Sequence, residues 1–264
     1  MEWWPAYLGI GVAVGFLAGL LGIGGGAIAV PMLVWVFSAR GLPAEHVMRL
    51  ALGTSMAVIL FTSFSSMLAY RRRGDVDWSV VRAMAPGILT GAFGAALAAA
   101  YIPARGLAVI FALLASYVAL QMWLELRPAP SRALPGAAGV FAAGAGIGIA
   151  SSLFSVGGAF LTVPFLVWCN VPIRRAIGTA AGNGFPIAIA GSAGYVLQGL
   201  RAEGLPPGTL GYVYLPGLAI IVVASMALAP LGTRVAYLLP VKTLRRILAV
   251  VIGAMAVRTL VTLW

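Results

Sequence analysis

Eight long apolar runs, separated by short polar loops, make up almost the whole chain. They cover residues 5–37, 47–70, 79–101, 104–126, 133–170, 176–198, 211–231 and 242–264. Each run is long enough for a helix that crosses about 30 Å of hydrocarbon, and the first and fifth runs are much longer than that. The pattern predicts an all-α integral membrane protein, with little chain left over for a soluble domain.

The two longest runs share a glycine-rich segment, GLLGIGGGAIAVP at 19–31 and SLFSVGGAFLTVP at 152–164. Pro31 and Pro164 stand at the same place in each segment, seven residues after a glycine. Glycines followed by a proline interrupt a helix, and the bilayer has no water to satisfy the freed backbone groups. Two matching breaks in two halves of a chain are typical of the central binding site of a transporter.

The repeat extends beyond the glycines. Three landmarks recur in the same order: an arginine five residues before the threonine of a Gly-Thr pair, a Pro-Gly pair, and an apolar residue before proline. They are marked by Arg49, Pro86 and Pro103 in the first half and by Arg174, Pro216 and Pro240 in the second. These landmarks indicate duplication of a unit of about 130 residues, with a first repeat at 1–130 and a second at 131–264.

The length of the first run bears on how the halves are oriented. As one helix, residues 5–37 would extend about 50 Å, well beyond one crossing. Folding back at the glycines gives two short arms. Re-entrant hairpins at 5–37 and 133–170 would leave three crossing helices in each half, so the second half would be inverted.

Charge supports the hairpins. The chain carries 17 Lys and Arg and a net charge of +11. With hairpins, five of these basic residues lie on one side, Arg40, Arg49, Arg105, Arg201 and Arg258, and twelve on the other, whereas eight simple crossings divide them nine to eight. The positive-inside rule then places both termini outside the cytoplasm. Because the basic residues lie in short loops, they are interpreted as orienting charges, and nucleic-acid binding is not expected.

Several kinds of chemistry are disfavoured. All six acids fall at loops or helix ends, so the sequence predicts neither an intramembrane metal site nor a carboxylate proton relay, and no cofactor is expected. The single cysteine, Cys169, permits no internal disulfide. A membrane-embedded serine protease would need a base beside its serine, and His46, the only histidine, stands at a loop edge.

The candidate site is therefore built from backbone dipoles and neutral donors. A helix N-terminus favours anions, and glycines let a ligand approach its N–H groups. The predicted substrate-binding residues are Gly24, Gly25, Gly26, Gly157 and Gly158, with Thr54, Ser55, Thr179 and Asn183 from the helices that follow. The alternative is packing, since membrane Ser and Thr often bond their own backbone. For Gly11, Gly15 and Gly19, spaced four apart, packing is the preferred interpretation.

Arg49 and Arg174 occupy equivalent places and would lie at opposite mouths of an inverted pair. Two interpretations stand side by side: gating residues that attract an anion, or arginines that extend to the membrane surface.

These motifs resemble those of the TauE/SafE sulfite exporter family. The resemblance lies in 19–31, in Gly53-Thr54-Ser55, and in the second copy at 152–164 with Gly178-Thr179. The second copy departs from the family pattern, with Ser155-Val-Gly-Gly-Ala in place of a fuller glycine run. The resemblance implies transport of sulfur-containing anions, such as sulfite or organosulfonates, across a bacterial inner membrane.

The expected function is a multi-pass secondary transporter for such an anion, working by alternating access in the lipid bilayer. An anion channel that uses the same helix dipoles is the alternative, and an intramembrane enzyme is the least favoured. The sequence leaves open the exact cargo, the direction, the oligomeric state, and whether a proton or a sodium ion is coupled.

Overall fold

The computed structural model describes residues 3–21, 25–124, 133–238 and 241–263. Within these ranges the chain is helical apart from loops and one pair of two-residue strands, which confirms the all-α fold class. The first half contains α1 Trp4–Leu21, α2 Gly26–Ala39, α3 Ala44–Arg72, α4 Trp78–Ala98 and α5 Ala104–Trp123. The second contains α6 Ala137–Phe154, α7 Ala159–Trp168, α8 Ile173–Gly199, α9 Leu215–Leu238 and α10 Val241–Leu263.

Four helices of the described ranges, α3 to α6, are individually long and apolar enough to cross a membrane. The central one, α3, is also the most completely buried of these four. It contacts α2 and α5 of its own half and α8 and α9 of the other. α3 therefore forms the centre around which the other helices pack.

Each glycine-rich run contains two helices. α1 ends at Leu21 before α2 begins at Gly26, and α6 ends at Phe154 before α7 begins at Ala159. The prolines do not mark the breaks, because Pro31 and Pro164 lie inside α2 and α7. The following helices, α2 and α7, begin directly after Gly25 and Gly158, whose left-handed backbone conformation is one that side chains disfavour.

The run at 211–231 differs from the prediction. Its helix, α9, begins only at Leu215 and continues to Leu238. The preceding residues form the antiparallel pair β1 Thr209–Leu210 and β2 Val213–Tyr214, with Gly211 at a φ of 56° between them. The Tyr212 N–H donates to the carbonyl of Tyr195 on α8, so this apolar stretch packs against the helix bundle as a turn.

The equivalent helices of the two halves, α3 and α8, pack against each other in opposite directions. Near the start of α3, Gly53 contacts Tyr195 close to the end of α8. Just past the end of α3, the backbone of Asp75 contacts Gly178 close to the start of α8. An antiparallel central pair is the arrangement that two inverted halves would have.

The first helix of each half packs against a helix of the other half. α1 packs chiefly on α9 of the second half, and α6 packs chiefly on α4 of the first. Gly11 and Gly15 lie directly against Ala224 and Ser225 of α9, which confirms the packing interpretation of these two glycines. On the other side, Gly87 of α4 lies against α6 in the same way. Small residues let the backbones approach closely, as in other membrane helix pairs.

Candidate functional site

The two helix breaks have the same local geometry. Gly25 precedes α2 with a φ of 65°, and Gly158 precedes α7 with a φ of 75°. These two glycines are 133 residues apart, as are Pro31 and Pro164. Neither offers a side chain to accept a bond from the first-turn N–H groups, which helices otherwise satisfy with a capping residue. Each break therefore presents backbone donors at a helix N-terminus.

The breaks meet in the interior. The site of a Cβ on Gly26, at the start of α2, is occupied by the carbonyl of Ser155, where α6 ends. Ser155 is itself fully buried, with a φ of 51°, and its hydroxyl lies 3.4 Å from the carbonyl of Leu52 on α3. The predicted glycines Gly25, Gly26, Gly157 and Gly158 thus lie around α3 and the centre of the bundle, and Gly24 lies outside the described residues.

Thr54 and Thr179 are both fully buried, and each contacts the opposite half. The Thr54 hydroxyl accepts a 3.0 Å hydrogen bond from the N–H of Tyr214, one residue before α9. The Thr179 hydroxyl accepts a 3.0 Å bond from the N–H of Asp77, one residue before α4. Each threonine fixes the start of a helix in the other half, and its hydroxyl hydrogen is left over to donate.

The side chain of Asp77 also contacts the start of α4. Its carboxylate accepts hydrogen bonds from the hydroxyl and N–H of Ser79 and from the N–H of Val80, which caps α4. The hydrogen bond from the Ser79 side chain, as the largest favourable influence, holds the pKa of Asp77 below its ordinary value. The carboxylate is therefore the form that stabilises this end of the bundle.

Ser55 and Asn183 are buried and incompletely satisfied. Both side chains are fully shielded from solvent. The Ser55 hydroxyl and the Asn183 Oδ1 have no hydrogen-bond partner, while the Asn183 Nδ2 donates to the sulfur of Met84 at 3.3 Å. A buried polar atom without a partner carries a desolvation cost, which a bound ligand would offset.

The two candidate gating arginines differ. The Arg49 guanidinium donates to four carbonyls, those of Glu45 at 2.8 Å, Ala99 at 3.2 Å, Ala100 at 3.0 Å and Ile102 at 2.9 Å. Three of these acceptors belong to the end of α4 and the turn after it, where a positive charge is favourable. Arg174 is exposed and has no hydrogen bond or ion pair to the residues that the structure describes.

The structure adds three buried hydroxyls that the sequence motifs do not single out, those of Ser151, Ser152 and Thr162. All are at most 2% exposed, and none has a hydrogen-bond partner in the described structure. The place of a Cβ on Gly158 lies 3.5 Å from the Thr162 Oγ1 and 3.7 Å from the Ser151 Oγ. Alignment of the two repeats shows the signal, because Ser151 and Thr162 replace Ala18 and Ala29 of the first copy.

His46 lies in the first turn of α3, where it is 7% exposed. Its Nε2 is 3.0 Å from the carbonyl oxygen of Glu203 in the loop between α8 and α9. No hydrogen bond joins it to a serine in the described part of the chain. The contact ties the start of α3 to the loop that follows α8.

Comparison with known proteins finds a matching family and several relatives. The family model for the sulfite exporter TauE/SafE matches residues 7–259. A probable membrane transporter protein of Haemophilus influenzae is 35% identical over 239 residues, with 90% of each chain covered. One of Methanocaldococcus jannaschii is 26% identical over 259 residues, covering 95% of this chain and 93% of the relative.

A third relative, a probable membrane transporter protein of Bacillus subtilis, is 27% identical over 227 residues and covers 75% of this chain. No solved structure matches the chain. The matches are spread over nearly the full length, across both glycine breaks and the helices that enclose them. This chain is therefore a multi-pass membrane transporter that belongs to the sulfite exporter TauE/SafE family.

Proposed function

We propose that the protein is a secondary transporter that carries a small sulfur-containing anion across the bacterial inner membrane by alternating access. The observation that carries this proposal is the meeting of two helix breaks in the buried interior, each opened by an uncapped glycine in the left-handed conformation. Half-helix N-termini of this kind supply positive potential without a charged side chain. The sulfur in the cargo rests on the family name, since helix dipoles select charge sign rather than a particular element.

The positions of the acids that the structure describes support a negatively charged cargo. The four acids that the structure describes, Glu45, Asp75, Asp77 and Glu203, lie in loops or at helix ends. A cation at the breaks would therefore lack a counter-charge from these residues, whereas an anion would gain hydrogen bonds from the backbone and from hydroxyls. The proposed binding groups are Gly25, Gly26, Gly157 and Gly158, with Ser55 and Asn183 beside them.

Transport by purified protein in liposomes tests the proposal. Vesicles loaded with unlabelled sulfite should take up labelled sulfite by counterflow, and methylammonium of comparable size should neither enter nor compete. Counterflow of the cation in preference would overturn the anion assignment. Saturable counterflow supports a carrier, while unitary conductance in a planar bilayer would replace it with the channel alternative.

We further propose that the two halves are inverted, with both termini outside the cytoplasm. The antiparallel packing of α3 and α8 and the twelve-to-five division of basic residues support this arrangement. The contact between His46 and Glu203 joins the start of α3 to the loop after α8, so both should face the same side.

Single cysteines in a Cys169→Ser background test this topology. Glu45→Cys and Arg201→Cys are expected to react with an impermeant maleimide from outside intact cells, and Arg73→Cys only after the membrane is opened. All three positions lie at exposed ends of helices. Labelling of Glu45→Cys and Arg201→Cys from opposite sides would eliminate the inverted arrangement.

For the candidate gates, the proposal is narrower. Arg174, exposed and without a described partner, attracts the anion at the cytoplasmic mouth. Arg49, whose guanidinium is already engaged by four carbonyls, chiefly holds α3 to the end of α4.

A further inference from the structure

We propose that the hydroxyls of Ser151 and Thr162, together with the N-terminus of α7, bind the oxyanion head of the cargo, so that the second half carries most of the recognition. This inference rests on the proposed function and names the part of the site that holds the ligand. The ligand class it implies is an anion with two or more acceptor oxygens on one centre.

The geometry begins at Gly158. The place that a Cβ would take on Gly158 is filled by the end of the Ile187 side chain, and the polar atoms nearest to it are the Thr162 Oγ1 at 3.5 Å and the Ser151 Oγ at 3.7 Å. The two hydroxyls come from different helices, Ser151 from the last turn of α6 and Thr162 from the first turn of α7. They converge on the same point across the break.

Both hydroxyls are buried and unpartnered. Thr162 is 0% and Ser151 2% exposed, and neither oxygen has a hydrogen-bond partner in the described structure. Ser and Thr in membrane helices commonly satisfy themselves by donating to a carbonyl of their own helix, as Thr90 does here with Pro86 at 2.9 Å. Ser151 and Thr162 do not make this bond, so their hydroxyls can donate to another acceptor.

The N-terminus of α7 adds backbone donors at the same place. α7 is a helix of ten residues whose N-cap, Gly158, has no side-chain hydrogen bond. Hydroxyl and backbone N–H groups together form a set of donors, and a set of donors suits an oxyanion, which has only acceptors. A small, largely apolar cleft, lined among others by Ser151, Gly158, Phe160 and Tyr117, lies on the α5 side of the break, where Tyr117 is half-exposed.

The first break lacks the equivalent groups. Ala18 and Ala29 stand where the second half has Ser151 and Thr162. Gly26 of the first break lies against the Ser155 carbonyl, whereas Gly158 of the second lies against the Ile187 side chain and beside the two hydroxyls. The two breaks are thus alike in backbone and different in side-chain chemistry, because the second carries two hydroxyls where the first has alanines.

Removing the hydroxyls tests this division. Ser151→Ala and Thr162→Val should each weaken sulfite binding about ten- to a hundredfold, the usual effect of losing a hydrogen bond to a charged group. The ligand-free variants should be as thermally stable as the parent or more so, because an unsatisfied buried hydroxyl is being removed. Thr162→Ser, which keeps the hydroxyl, should bind sulfite within a few-fold of the parent.

Matched controls exist on other helices. Ser225→Ala and Thr90→Val remove hydroxyls that donate to their own helices, to Val222 at 3.0 Å and to Pro86. These variants should leave sulfite affinity unchanged. The measurements are sulfite affinity by tryptophan fluorescence and the melting temperature with and without sulfite.

The outcomes separate the two proposals. If the parent binds sulfite and Ser151→Ala and Thr162→Val bind it equally well, this inference is wrong while the proposed function stands. If the two variants lose thermal stability together with affinity, the hydroxyls have a structural role and the inference is again overturned. If the parent binds neither sulfite, thiosulfate nor a short sulfonate, both proposals fail.

Discussion

Arg49 and Arg174 occupy equivalent positions in the two repeats, yet the structure predicts opposite consequences of changing them. Arg49→Gln removes a guanidinium that reaches from α3 to the carbonyls of Ala99, Ala100 and Ile102. Arg174→Gln removes an exposed charge that bonds none of the described residues. The same substitution should therefore destabilise the protein at one position and leave its stability intact at the other.

The size of the Arg49 effect follows from its contacts. Three partly buried hydrogen bonds join it to another helix end, and each is worth about 1 kcal/mol net. A cation beside a helix C-terminus adds roughly 0.3 to 1 kcal/mol. The fourth bond, to Glu45 within the same helix, is exposed and adds little. Arg49→Gln should thus cost about 2 to 4 kcal/mol, which corresponds to roughly 5 to 15 °C in melting temperature for a chain of this size.

Thermal unfolding of the detergent-purified variants measures this difference, and counterflow in liposomes measures the transport. Arg174→Gln should melt with the parent but slow anion entry from the cytoplasmic face, and the slowing should diminish at high salt. Arg49→Lys is a useful control, because it keeps the charge but loses the forked geometry, and it should fall between parent and Arg49→Gln. Equal melting temperatures for Arg49→Gln and Arg174→Gln would refute the structural role assigned to Arg49.

Other substitutions test single features of the fold. Gly25→Ala should lower the free energy of unfolding by about 1 to 2 kcal/mol, because the φ of 65° strains any residue with a Cβ. Gly25→Asn should lower it less, so equal melting temperatures for the two variants would contradict this reasoning. Thr54→Val should lower the free energy of unfolding by about 1 to 3 kcal/mol, because the buried Tyr214 N–H loses its acceptor. Thr54→Ser keeps the hydroxyl and should be as stable as the parent. A Thr54→Val variant as stable as the parent would contradict this hydrogen bond. Asp77→Ala should lower the free energy of unfolding by about 1 kcal/mol, because the α4 cap is lost. The parent should lose the same contribution as the pH falls through the lowered pKa of Asp77. Equal melting temperatures for the variant and the parent at neutral pH would contradict this role.

Much of the fold follows from hydrophobic length and glycine position. Runs of apolar residues longer than one crossing had to break somewhere, and the left-handed geometry of Gly25 and Gly158 explains why they break at glycine. The prolines do not interrupt the chain, since α2 and α7 continue through them. The start of α9 was also predicted too early, because apolar residues at 211–214 suit a buried turn as well as a helix.

Less of the candidate site could be predicted from the sequence. Thr54 and Thr179 were predicted as ligand donors, and only the tertiary structure reveals that each accepts a bond from the opposite half. Their partners are more than a hundred residues away in the chain, so no local pattern encodes the contact. Ser151 and Thr162 could have been found by comparing the repeats position by position, because a hydroxyl replaces a methyl at each place.

The packing of α1 on a helix of the second half has a consequence for the assembly of the protein during synthesis. α1 leaves the ribosome first, yet the surface that covers Gly11 and Gly15 belongs to α9, which is synthesised near the end. Until then α1 has only lipid against its glycine face, and lipid cannot fit that face as closely as another helix does. Final assembly must therefore wait for most of the chain. For the same reason, a first half expressed alone would lack the partner that completes its opening helix, and co-expression of the two halves should restore it.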